Sequence, residues 1–225
     1  MIVIKMEKRM VFKTTKLLVI ALTIFVSQNA NAVFIDFDSH AATSQTGGTP
    51  PASAVVTDDY ASLGVIFGKA GVSAGVAVVN NSNTFSQPNG ACAMDAGGDL
   101  IPNCAGDIFF NFVDQSDGVS LAVTDSVDFW VGDIGGDLDL WTINVFDISG
   151  GLIETRDVSS AANINVAFNH FGMHSFEILD TSFNTYGYLF DDFSFNAPTA
   201  AVPEPTMLIL LSIGLFGIGF VRRKA

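Results

Sequence analysis

Aspartate carries most of the chemistry this chain has to offer. One pair lies in Phe34-Ile35-Asp36-Phe37-Asp38 and another in Phe190-Asp191-Asp192-Phe193-Ser194-Phe195. Calcium takes about six to eight oxygen ligands from carboxylates and carbonyls. Asp36 or Asp38 with Asp191 or Asp192 would supply part of such a shell. The alternative is strand-end aspartates facing water, and both readings stay open at this point. A further group, Asp133, Asp137 and Asp139, surrounds Gly135-Gly136. It departs from the EF-hand loop in its order of aspartates and in lacking the distal Glu. A polar hairpin turn is the plainer account of it. Trp130 and Trp141 flank that turn. An exposed tryptophan beside acidic groups makes a sugar contact, whereas a tryptophan in a sandwich core is the commoner use.

Catalysis finds little support. The only histidines are His40, His170 and His174. His170 and His174 would share a face on a helix, but their surroundings read as loop and strand. There is no G-x-S-x-G, no HExxH and no phosphate-cradling loop. A two-carboxylate glycosidase leaves no such motif, because its residues need not be close in sequence. A secreted hydrolase of that kind would show a cleft with two carboxylates, one of raised pKa. The expectation is a protein that is not an enzyme.

The elements that must position these residues read as strands. Short runs rich in Val, Ile and Phe occupy 34–37, 64–67, 75–79, 108–113, 119–123, 127–131, 138–147, 152–158, 164–168, 174–179 and 188–195. Gly, Asn, Asp and Ser separate them. Val127, Phe129 and Val131 alternate with Asp128 and Trp130, and Trp141, Ile143 and Val145 share one face of their run. Ser149-Gly150-Gly151 marks a hairpin turn. This spacing predicts an all-β fold, a β-sandwich or barrel. Residues 39–59 and 80–106 read as loops, with no apolar period.

The two ends of the chain are addresses. Lys5, Lys8, Arg9, Lys13 and Lys16 precede an apolar core, 17–26, and Ala30-Asn31-Ala32 is an A-x-A site. That is a secretory signal peptide over 1–32, read by the export machinery and cut by signal peptidase after Ala32. At the other end, Val202-Pro203-Glu204-Pro205-Thr206 leads into an uncharged apolar run, 207–221, and then Arg222-Arg223-Lys224. The prolines hold the approach extended. The run is short for a spanning helix, and its basic stop stays on the cytoplasmic side. Between the ends, 33–201 carries 21 acidic residues and two basic ones, Lys69 and Arg156, a net charge of −19. Such a surface repels nucleic acid. It suits bound cations, or simply solubility. Cys92 and Cys104, the only cysteines, fall within this exported region, where a disulfide is permitted. They lack CxxC spacing and a nearby His for zinc. Closing a loop of about a dozen residues stabilises by roughly 3 kcal/mol.

Two resemblances follow. Val202-Pro203-Glu204-Pro205, the short apolar helix and the basic cluster together resemble the PEP-CTERM sorting signal of Gram-negative bacteria, over residues 199–225. The resemblance implies processing by exosortase, a membrane-embedded cysteine protease, near the Pro-Glu-Pro. The protein would be anchored in the inner membrane until processing, then placed at the cell surface or outside the cell. It also implies association with exopolysaccharide. A tail anchor that is never cut is the alternative. The Phe-framed aspartates near 34–38 and 190–195 resemble the first and last strands of secreted jelly-roll modules, many of which bind carbohydrate. There the terminal strands pair, and an acidic residue near them holds a structural calcium. The expected organisation is signal peptide 1–32, a jelly-roll-like β-sandwich over 33–198, and a sorting segment over 199–225. The functional expectation is a non-catalytic surface or matrix protein. A lectin-like module, with Trp130 or Trp141 exposed, and a secreted hydrolase stand as alternatives.

Overall fold

The structure is a computed structural model and describes residues 31–44, 46–133, 136–182 and 187–200. The signal segment before Asn31 (with Ala30), the sorting motif, the apolar run and the basic tail lie outside the described residues. Among the described residues, fourteen strands follow in chain order. They are β1 (Ala32–Ile35), β2 (Val55–Val56), β3 (Val65–Phe67), β4 (Val76–Asn80) and β5 (Asn89–Ala93). Next come β6 (Ile108–Phe112), β7 (Ala122–Val123), β8 (Val127–Asp133), β9 (Asp139–Asp147) and β10 (Leu152–Ser160). The last are β11 (Ile164–Phe168), β12 (Met173–Asp180), β13 (Tyr188–Asn196) and β14 (Thr199–Ala200). Among the described residues, helix is limited to three short 3-10 turns, and no helix is long and apolar enough to cross a membrane.

The strands make an all-β sandwich. The larger sheet runs β11-β8-β13-β5-β4-β2, with β1 also on β13. The smaller runs β10-β9-β12-β6-β3, and β7 and β14 form a separate ribbon. Strict alternation drives this. In β9, Trp141, Ile143 and Val145 are buried while Thr142 and Asn144 face outward. Phenylalanine fills the space between the sheets. Phe110 of the smaller sheet lies 4.9 Å from Phe193 and 5.8 Å from Phe190 of the larger, centre to centre. Phe112 lies 5.1 Å from Phe195, and Phe168 lies 5.5 Å from Phe176. Edge-on and tilted contacts of this kind add to area burial.

Both basic residues of the body are used internally. Arg156 lies over the Phe168 ring at 4.1 Å. Its guanidinium donates to Glu154 Oε1 and to the Ala167 carbonyl, and Glu154 also meets His170. This ties β10 and β11, the edge strands of the two sheets. Lys69 pairs with Glu177.

The aspartates do turn chemistry. Asp95 accepts the amides of Gly97 and Asp99 at 2.8 and 3.0 Å. Asp117 takes those of Val119 and Ser120 at 2.9 and 2.8 Å. Asp147 takes Ser149 and Gly151, both at 2.8 Å, and so closes the β9–β10 hairpin. Asp36, Asp114 and Asp180 each cap an amide two residues on. These are Asx turns, in which a short carboxylate replaces a missing backbone acceptor. The Ser120 hydroxyl and the Val119 and Ser120 amides hold Asp117 below the usual carboxylate range, and Ser149 and Gly151 do the same for Asp147.

Two runs differ from expectation. Residues 39–59 contain β2, and 80–106 contain β5, a strand inside the larger sheet. Asn89-Gly90-Ala91-Cys92-Ala93 shows no apolar alternation because it is buried on both faces. A second cluster, with Val79, Cys92, Met94, Leu100, Cys104 and Leu189, covers its outer side. Cys92 and Cys104 are disulfide-bonded there, with Cα atoms 4.9 Å apart. Replacing both cysteines by Ser lowers the unfolding free energy by about 3 kcal/mol, read from urea unfolding of the purified chain. An unchanged midpoint would mean that the packed loop holds without its cross-link.

Candidate functional site at a fork in the larger sheet

The terminal strands do pair. β13 runs beside β8 along one edge. Along its other edge it meets first β5, with Phe190 opposite Ala91, and then β1, from Phe193 opposite Ile35 to Asn196 opposite Ala32. The sheet therefore forks between β5 and β1. Asp36, Asp38, Asp191 and Asp192 all gather at this fork.

β13 changes phase there. Its register against β8 slips between Asp191 and Ser194, and Asp192 takes a left-handed φ of 45°. This is a β-bulge, with one extra residue in the strand. Phe37 also turns left-handed, at φ 59°, and lays its ring 6.0 Å from Phe190. Asp38 Oδ1 accepts the Asn89 amide at 3.1 Å and closes the fork at the start of β5.

The loop 81–88, between β4 and β5, folds back over the outer face of the larger sheet. Two contacts pin it. The Phe85 ring stacks on Trp130, with centroids 3.5 Å apart and planes 6° from parallel. The Ser86 amide donates to Asp191 Oδ2 at 2.9 Å. Close approach needs missing side chains beneath the loop. A Cβ at Gly90 would meet the Thr84 methyl at 2.8 Å, and one at Gly132 would run into the Asn163 amide. Trp130 stands opposite Asp191 on one side and Asn165 on the other. The outer face thus carries an aromatic stack, with Phe85 46% exposed, flanked by amide and carboxyl groups.

Asp191 is 1% exposed. Burial pushes its carboxyl up to about 7, against the pull of hydrogen bonds from the Asp192 and Ser86 amides. The Ser86 hydroxyl lies 2.8 Å from Asp192 Oδ1 and 3.2 Å from Asp191 Oδ2. It has one proton for two acids, which a proton held on Asp191 resolves. Burial also raises Asp192, and the charges of Asp36 and Asp38 add to it. Among the described residues, no three acidic, His or Cys side chains are arranged to hold a metal ion.

The expected sugar contacts separate. Trp130 lies on the outer face. Trp141 is 1% exposed, edge-on to Tyr188 at 5.6 Å, so the expectation of a sugar contact there is corrected. It shares the phase of Ile143 and Val145, and that phase is inward. Asp139 is buried, and residues 134–135 of its turn lie outside the described residues. The histidines do not converge: His170 meets Glu154, and His174 Nδ1 lies 2.8 Å from the Ala122 carbonyl. Phe85 and Ser86 were not among the sequence candidates. They sit in an Asn- and Ser-rich loop whose pattern carries no strand period.

Residues 201–224 match the PEP-CTERM protein-sorting motif. The motif implies a secreted protein, anchored through its C-terminal region before exosortase processes it. No curated protein matches the sequence. Solved structures of similar shape include the CBM22-1 xylan-binding domain of Paenibacillus barcinonensis Xyn10C, at 12% identity and a TM-score of 0.38, covering 79% of this chain and 100% of that one. Another is the K2 cleaved adhesin domain of Lys-gingipain, at 11% and 0.39, covering 74% and 99%. A third is TmCBM61, solved with β-1,4-galactotriose, at 16% and 0.32, covering 59% and 86%.

Asp191 gives the fork a pH dependence. Its folded pKa, about 7, stands above the ordinary value of about 3.9. Its contribution to stability is fully present below about pH 4 and is lost as pH rises through about 7. Between pH 5 and 8, the melting temperature of the wild-type chain is expected to fall relative to that of Asp191→Asn. Parallel curves for the two would show that Asp191 titrates as an ordinary carboxylate.

Proposed function

We propose that this is a non-catalytic cell-surface or matrix protein, delivered by the exosortase route, and that it associates with exopolysaccharide through the Phe85–Trp130 stack. The observation that carries this reading is the stack itself. A half-exposed phenylalanine ring backed by tryptophan presents a flat apolar face, and Asn165 and the acidic fork offer polar partners beside it. Flat rings with neighbouring amides and carboxylates suit sugar rings, which have an apolar face and a hydroxyl rim. The non-catalytic part is supported by Asp191. Its carboxyl is raised to about 7, but it is sealed under Ser86 and spent on holding the loop.

A second reading concerns calcium, and the crowding of Asp36, Asp38 and Asp192 favours it. Three neighbouring carboxylates without a cation repel one another. They fall short of a closed calcium shell, so the ion would take its remaining oxygens from an acidic polymer and act as a bridge.

Binding of the purified chain to the producing organism's exopolysaccharide tests both. Phe85→Ala and Trp130→Ala are each expected to weaken binding about tenfold or more, the order set by burying an aromatic side chain, with the fold checked by circular dichroism. Undiminished binding by both variants would remove the stack from the account. Chelator is expected to release an acidic polymer and to leave a neutral polysaccharide bound. Acidic polymer retained in chelator would remove calcium.

A further inference from the structure

Exposed apolar side chains gather at one end of the sandwich. Phe171 is 91% exposed, Val119 77%, Leu152 59% and Leu121 53%. Leu121 directly precedes Ala122, which pairs with Ala200. Val119 lies two residues further back in the same loop. Phe171 lies two residues before Met173, whose amide and carbonyl bond Thr124 at 3.0 and 2.9 Å, just past β7. Leu152 pairs with Phe146, and Phe146 with Ser175 of β12. This is also the end from which the chain leaves. β14 stops at Ala200 and the sorting motif starts at residue 201. The uncharged run from Met207 to Val221 begins seven residues beyond Ala200. An extended chain spans at most about 3.6 Å per residue, so that leash is roughly 25 Å long. With the tail in a bilayer, this end of the sandwich faces the lipid across that distance or less.

We infer that this end docks on the bilayer surface while the tail is anchored, with Phe171 and Leu121 entering the headgroup region. The inference rests on the sorting-tail reading. Weak apolar insertion and a tether are two signals that together hold what neither holds alone. The leash supplies a high effective concentration of membrane, and cutting it removes that concentration. The surface must be of zwitterionic lipid. Asp114, Asp117, Asp125 and Asp147 lie around the apolar side chains, and their charges oppose an anionic surface.

The test uses the full-length chain reconstituted in phosphatidylcholine vesicles with brominated acyl chains. Phe171→Trp is compared with Leu138→Trp, which reports from the far end, where Leu138 is 60% exposed. Emission of the unsubstituted chain is subtracted for Trp130 and Trp141. At least twofold quenching of Phe171→Trp, with none of Leu138→Trp, is expected, and added phosphatidylglycerol is expected to weaken it. If alkaline carbonate leaves the chain in the vesicles and Phe171→Trp is as unquenched as Leu138→Trp, the tail inserts but the end does not dock, and the inference falls. If carbonate strips the chain, the sorting-tail reading fails and the docking fails with it. Quenching strengthened by phosphatidylglycerol would overturn the choice of surface.

Discussion

One extra residue in β13 governs the rest. Side chains along a strand alternate between faces, so Phe190 and Phe193 would fall on opposite sides of an unbroken strand. The bulge at Asp192 resets the phase, and Phe190, Phe193 and Phe195 all reach the core. These rings meet Phe110 and Phe112 across the sandwich. Plain alternation with Phe190 already points Asp191 outward, and the reset just after it marks where β13 exchanges β5 for β1. The aromatic core and the fork therefore share one cause. A short polar residue suits it, since a left-handed φ is tolerated best by Gly, Asn and Asp.

The acidity of the body has a local origin more than a global one. A sandwich built from hairpins has many tight turns, and each leaves amides that no strand can satisfy. Aspartate meets that need at Asp95, Asp117 and Asp147 with two amides each. Lys69 and Arg156 are paired with Glu177 and Glu154. A strongly anionic surface is what remains once turns have taken the aspartates and edges have taken the cations. At the fork carboxylates also crowd one another, with the charges of Asp36 and Asp38 acting on Asp192.

The fold was legible where one face is buried and the other wet. β8 and β9 show that alternation plainly, and it also separates the two tryptophans: Trp130 keeps step with Asp128, Trp141 with Ile143. The terminal aspartates converge as the Phe-framed pattern suggested. β5 was not legible, because a strand covered on both sides by tight packing needs Gly and Ala, which carry no strand period. Phe85 was hidden for a related reason. Its place is set by Gly90 and Gly132 across the sheet, and no spacing within its own loop reports on them.

β13 has three neighbours, β8, β5 and β1, and it is nearly the last strand of the body. Without it the larger sheet falls into separate pieces: β11 with β8, β5 with β4 and β2, and β1 alone. Contacts between such distant parts of a chain form late and slowly. The first strand has no partner until residues 193–196 arrive. A machine that threads this protein from its N-terminus therefore handles a chain whose sheet cannot close, and closure is deferred until almost the whole body has passed through.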